Sequence, residues 1–207
     1  MQKLLEGIVK FKRQDFEDHR ELFNDLKEIQ VPHTLFIGCS DSRLVPNLIT
    51  RTLPGELFVI RNIANIVPPL VETHEHLATT SAIEYAVNVL KVENIVVCGH
   101  SNCGGCASLY LPDESFESMP YTKRWLDLAH SVKETVLRDF KDEEPEAKEW
   151  VTEQLNVVEQ VKHLLTYPFI KEKYENKEIS ISGWYYIIET GEVYIYNKIN
   201  GEFELAN

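Results

Sequence analysis

Two short apolar runs, each followed at once by a cluster of ligand-type side chains, constrain this chain more than any other feature. Thr34-Leu35-Phe36-Ile37 leads into Cys39-Ser40-Asp41-Ser42-Arg43, and Asn94-Ile95-Val96-Val97-Cys98 leads into His100-Ser101-Asn102-Cys103. Short branched and aromatic runs of this kind read as buried strands. If both strands lie in one parallel sheet, both clusters leave it at the same C-terminal edge, where open α/β sheets build their sites. Two thiols and an imidazole then converge, with a carboxylate available as a fourth group. Zinc prefers sulfur and imidazole donors in a tetrahedron, and a catalytic zinc keeps one position open. An Asp41 able to leave the metal for Arg43 supplies that opening.

The remaining pattern predicts an alternation of strands and helices. A strand is expected at Leu57–Ile60, set off by Pro54-Gly55, and a helix over Thr73–Leu90 through Leu77, Ala82, Ile83, Tyr85, Ala86 and Val89. Cys103 opens a short helix toward Leu109. Within a helical region expected over 121–175, the chain from Tyr121 to Tyr167 is charged and helix-favouring, broken near Pro145 and stopped at Pro168. Ile179–Ile188 and Val193–Tyr196 have β character, and Glu189-Thr190-Gly191 between them reads as a hairpin turn. The expected fold is α/β: a mainly parallel sheet with flanking helices and an antiparallel edge hairpin at 179–197. The core holding the clusters is expected over 29–110, all in one domain, 1–207.

Residues 2–28 read as one or two amphipathic helices, with Leu4, Leu5, Ile8, Val9, Phe11, Phe16, Leu22, Phe23 and Leu26 as the apolar stripe. That stripe exposes more apolar surface than a terminal appendage should, as interfaces do.

A formal net charge of −12 argues against nucleic acid or an anionic membrane as a partner. No apolar run approaches the roughly 18 residues of a membrane span. The N-terminus lacks the apolar core and cleavage site of a secretory signal. Three of the four cysteines crowd between 98 and 106, unlike a disulfide framework, so a cytoplasmic, reducing setting is expected.

Bland roles fit most other candidates. Cys98 ends a buried strand and reads as packing. His74 and His76 suit surface or capping positions, and His33, His130 and His163 form no ligand pattern. Tyr185, Tyr186, Tyr194 and Tyr196 read as structural. Cys103-Gly104-Gly105-Cys106 has C-x-x-C spacing, so Cys106 competes with Asp41 to be the fourth group.

The C-x-D-x-R at 39–43, the Arg61-Asn62-Ile63-Ala64-Asn65 run and the Gly99-His100-Ser101-Asn102-Cys103-Gly104-Gly105 run together resemble the β-class carbonic anhydrases. The likeness extends from about residue 20 to Tyr196. It implies zinc-dependent reversible hydration of carbon dioxide to bicarbonate and a proton. Cys39, His100 and Cys103 would hold Zn2+, with Asp41 and Arg43 as a catalytic dyad and Asp41 on the metal only in a closed form. The open-site, plant-like subtype is implied by Phe36 where the closed group has Trp, by Gln30, Phe58 and Tyr85 at pocket positions, and by Val67-Pro68-Pro69. Carbon dioxide and bicarbonate would then meet Gln30, Phe58, Ile63, Tyr85 and the Gly104 amide. The resemblance further implies a homodimer, able to pair into a tetramer, in which the arm at 1–28 embraces the neighbour and the pocket is partly built from both subunits. Hydrolysis of carbon disulfide or carbonyl sulfide on the same scaffold, or a nonenzymatic zinc module, are the alternatives.

Overall fold

The structure is a computed structural model that describes residues 1–70 and 76–206. It opens on three helices, α1 (Gln2–Arg13), α2 (Asp15–Asp18) and α3 (Arg20–Leu26), one more break than the periodicity predicted. None of their residues is buried. The rings of Phe11, Phe16 and Phe23 pack on one another with centroids 5.2–6.3 Å apart. Leu4 and Ile8 remain 67% and 62% exposed.

The chain continues as β1 (Thr34–Cys39), α4 (Pro46–Thr50), β2 (Leu57–Asn62), α5 (Leu77–Glu84) and β3 (Asn94–His100). A π-helical turn, Tyr85–Val89, prolongs α5. The predicted start of that helix, with His74, lies outside the described residues; His76 precedes Leu77 in a left-handed conformation at φ 65°. After β3 come α6 (Gly104–Ala107), α7 (Pro120–Leu126), α8 (His130–Asp139), α9 (Pro145–Leu164) and α10 (Pro168–Glu175). Pro145 and Pro168 each begin a helix, a position where a missing N–H costs nothing. The chain closes with β4 (Ser180–Tyr186), β5 (Val193–Asn197) and β6 (Glu202–Leu205).

The six strands form one sheet in the order β2-β1-β3-β4-β5-β6. The first four are parallel; β4, β5 and β6 pair antiparallel. The turn at Glu189-Thr190-Gly191 is present, with Gly191 at φ 78° and the Ile187 N–H bonded to the Glu192 carbonyl at 2.8 Å. β6 is an addition to the expected hairpin and becomes the sheet's edge. Its Glu-Phe-Glu-Leu run is too short and too charged to stand out by pattern.

β1 and β3 are buried on both faces, as central parallel strands must be. Leu35, Ile37, Ile95 and Val97 face one layer, which includes Val157, Val161 and Leu164 of α9. Phe36, Val96 and Cys98 face the other, with Leu44. Helix α9 lies very close to the sheet. A Cβ on Gly99 would stand 2.6 Å from Val157 Cγ2, and one on Gly183 would stand 2.9 Å from Val157 Cγ1. Both glycines are required by that approach.

Candidate metal centre

Gly38 of β1 is paired with Cys98 of β3, so Cys39 and His100 both emerge at the C-terminal edge of the sheet. A turn then brings Cys103 back. Asn102 takes a left-handed φ of 55° within it, a conformation Asn tolerates better than most residues. The turn is tied down by the Ser101 N–H on the Tyr186 carbonyl (2.9 Å) and the Ile188 N–H on Ser101 Oγ (3.0 Å). Arg43 Nη2 adds a bond to the Asn102 carbonyl at 2.9 Å.

The donor atoms of Cys39, His100 and Cys103 all lie within 4.8 Å of one another, and all three residues are buried. The two Sγ atoms are 3.9 Å apart. His100 Nδ1 lies 2.9 Å from the Ser101 carbonyl, which can only accept, so Nδ1 carries the proton and Nε2 presents its lone pair. That Nε2 is buried without a hydrogen-bond partner. The Cys39 thiol is pushed up to about 12, first by its hydrogen bond with Cys103 and then by burial. Cys103 is raised too, chiefly by the neighbouring Cys106 thiol. Burial works to lower His100, but the Cys39 thiol, the Ser101 carbonyl and Asp41 outweigh it and raise the imidazole. An orphaned imidazole nitrogen beside two thiols that ionise reluctantly suits a soft divalent cation, which would satisfy the nitrogen and favour the thiolates. The residues present fit such a metal.

Asp41 stands beside this group, its Oδ2 3.9 Å from His100 Nε2. Arg43 grips both carboxylate oxygens, and its own N–H bonds Oδ1 at 2.9 Å. Those Arg43 hydrogen bonds hold the Asp41 carboxyl well below the usual carboxylate range. Arg61 supports the same segment from β2, donating to the Cys39 carbonyl at 3.0 Å and to the Asp41 carbonyl at 2.5 Å.

A Cβ at Gly104 would meet nothing within 4 Å, whereas one at Gly105 would strike Ala64 at 2.9 Å. Ile63, 44% exposed, borders Gly105. Cys106 is buried among Leu109, Phe116 and Leu126, outside the group of three donors. Phe58 and Tyr85 pack together at 6.1 Å between ring centroids. They do not join the donor group within one chain: Phe58 pairs with Leu35 and Asn62 with Cys39, placing Phe58 about 13 Å down the strand. Gln30 is exposed in the segment between α3 and β1.

A family profile described as carbonic anhydrase matches residues 34–193. The solved structure of the β-carbonic anhydrase CcaA matches with a TM-score of 0.95 and 39% identity, over 100% of this chain and 99% of that one. The chain belongs to the β-class carbonic anhydrases.

A carbonic anhydrase of Helicobacter pylori strain J99 is 45% identical over 96% of this chain and 91% of its own length. One from Synechocystis is 40% identical over 98% of this chain and 73% of its own. One of two tetrameric β-carbonic anhydrases from Sordaria macrospora matches with a TM-score of 0.82 and 32% identity, over 93% of this chain and 94% of that one. The reaction of this β-carbonic anhydrase is therefore the hydration of carbon dioxide, by a metalloenzyme site to which Cys39, His100 and Cys103 conform.

Sequence reading missed the polar side chains of α9 that reach this β-carbonic anhydrase site. Glu153, Asn156 and Gln160 are at most 2% exposed. Asn156 Nδ2 donates to the Ala64 carbonyl at 2.9 Å, while Gln160 Oε1 accepts the Val67 N–H at 2.8 Å. They hold the segment in which Ala64 and Asn65 both take positive φ, 58° and 47°. Glu153 accepts the Cys103 N–H at 2.6 Å and also binds the Tyr185 hydroxyl. The available signal was their spacing of three and four residues on the stripe of Val157, Val161 and Leu164. His163, which showed no ligand pattern, bonds the Val67 carbonyl through Nδ1 at 2.7 Å.

Proposed function

We propose that the metal is zinc, held by Cys39, His100 and Cys103, and that this β-carbonic anhydrase works as an open-site enzyme with Asp41 and Arg43 as its dyad. The observation that carries the reading is the buried, unpartnered His100 Nε2 between two thiols, with Asp41 drawn toward Arg43. Zinc in that set would supply Lewis acidity, generating a nucleophile from water near neutral pH.

The chain's own groups would do the rest. Asp41 accepts a hydrogen bond from the attacking water and so orients its lone pair toward carbon dioxide. Arg43 keeps Asp41 ionised and occupied through charge-assisted bonds, so the carboxylate does not take the water's place. The Gly104 N–H, on the open side of the turn, offers a donor to the oxygens of bicarbonate. Ile63 gives carbon dioxide an apolar wall.

Phe58 and Tyr85 stand away from their own chain's donors, so they serve the pocket of a second copy, with Gln30 as its polar guide. A homodimer, able to pair into a tetramer, follows from that division and from the exposed stripe of α1. Burying Leu4, Leu5, Ile8, Val9 and Phe11 against a neighbour would contribute roughly 1.5–3 kcal/mol per side chain. The four free thiols suit a reducing cytoplasm.

Stopped-flow measurement of carbon dioxide hydration, with metal content per chain determined on the same sample, tests this. One zinc per chain and activity lost on chelation are expected. Full turnover by zinc-free protein would refute the assignment.

A further inference from the structure

Glu153 is the residue of α9 that touches the metal-binding turn, and nothing in the mechanism above uses it. It is 2% exposed. Its Oε1 accepts the backbone N–H of Cys103 at 2.6 Å, and its Oε2 accepts the hydroxyl of Tyr185, itself 1% exposed. The ties from β4 and Arg43 reach Ser101 and Asn102, and the Ala107 N–H of α6 bonds the Cys103 carbonyl at 3.0 Å; Glu153 holds the Cys103 N–H. Cys103 also caps the N-terminus of α6, with φ −79° and ψ 109°, directly after the left-handed Asn102. Its sulfur is therefore placed by a backbone that Glu153 holds from behind.

Glu153 can reach because α9 is seated on glycine. Val157, one turn further along, rests against the positions of Gly99 and Gly183, where no side chain could fit. Gly99 lies beside Tyr185 in the β3–β4 register. The same strand pair thus sets the height of the helix and supplies the second anchor of the carboxylate.

We propose that Glu153 is a positioning residue for the metal site: one oxygen fixes the Cys103 amide, the other is fixed by Tyr185, and together they hold the Cys103 sulfur at the donor position. The inference rests on the reading of Cys103 as a metal ligand. Outer partners of metal ligands cost about 10- to 100-fold in affinity or activity when removed.

The test compares Glu153→Gln with Glu153→Met in the full-length protein. Both keep the size of the side chain, but only Gln keeps an acceptor oxygen for the Cys103 N–H. Zinc affinity is read by competition with a chromophoric chelator, and donor geometry by the thiolate-to-metal bands of the cobalt(II) form. Glu153→Gln should stay within about threefold of wild type, and Glu153→Met should bind zinc at least about tenfold more weakly with shifted cobalt bands. If Glu153→Met does not fold, Tyr185→Phe replaces it and should weaken zinc severalfold with a matching change in the cobalt spectrum. Wild-type affinity and spectrum in Glu153→Met, or in Tyr185→Phe where it stands in, would overturn the proposal, as would equal losses in Gln and Met. A wild-type chain that bound no metal would fell the ligand reading and this one together. Tight binding by wild type and Glu153→Met alike would fell this one alone.

Discussion

Arg43 holds Asp41 by two parallel hydrogen bonds, Nε to Oδ1 at 2.9 Å and Nη2 to Oδ2 at 2.7 Å, while the same Nη2 bonds the Asn102 carbonyl at 2.9 Å. One guanidinium thus ties the first cluster to the turn that carries the second. Arg43→Ala should free the carboxylate to bind the metal and lower activity about a hundredfold or more, even at alkaline pH. Asp41→Asn should keep the metal and an open position but lack the charged acceptor. An Arg43→Ala enzyme with wild-type turnover would remove the dyad's role.

The donor set is tested by removal of single groups. His100→Ala and Cys103→Ala should each abolish both bound metal and carbon dioxide hydration. Cys106→Ala should keep metal content near wild type, because Cys106 lies outside the donor group. Equal metal loss in the Cys103 and Cys106 variants, measured by elemental analysis, would show the ligand set to be wrong.

Close seating of α9 predicts a reversal of sign. Gly99→Ala places a methyl 2.6 Å from Val157 Cγ2 and should cost about 1–3 kcal/mol by overpacking. Val157→Ala should destabilise the wild type by leaving a cavity, yet raise the stability of the Gly99→Ala protein by relieving the clash. Denaturant melts of the four proteins of this cycle check it; simple additivity would contradict the packing.

Glu159 gives a pH dependence. Its carboxyl is lowered to about 2, first by His163, whose Nε2 stands 3.6 Å away, and next by the Lys162 ammonium, which bonds it at 3.1 Å. A depressed folded value contributes stability that is complete above the unfolded value, about 4.3. The contribution is lost as the pH falls through 4 toward 2. Glu159→Gln should therefore melt below wild type at pH 6, and the gap should close as the pH falls toward 2. A gap that widened toward acid would reverse the sign argued here.

The arm predicts assembly. Deleting residues 1–28 removes a stripe on which Leu4, Leu5 and Ile8 are more than half exposed. Both the sedimentation mass and the activity should fall. A fully active monomer would contradict a pocket shared between copies.

The sequence by itself pointed to the core strands and to the candidate donors that follow them, because each strand and each cluster is a local signal. A run of branched apolar residues makes a buried strand wherever it lies, and Cys39, His100 and Cys103 follow such runs within a few residues. β6 stayed invisible because Glu-Phe-Glu-Leu gains its strand character only from pairing with β5. Glu153 lies 50 residues beyond Cys103, and its spacing on the apolar stripe of α9 marks a buried face without linking it to Cys103. Only the tertiary structure decided that contact, since it depends on how closely α9 can approach a sheet face made bare by Gly99 and Gly183. Tertiary structure also separated Phe58 and Tyr85 from their own chain's donors. Register fixed that distance: Phe58 sits level with Leu35, four residues before Cys39.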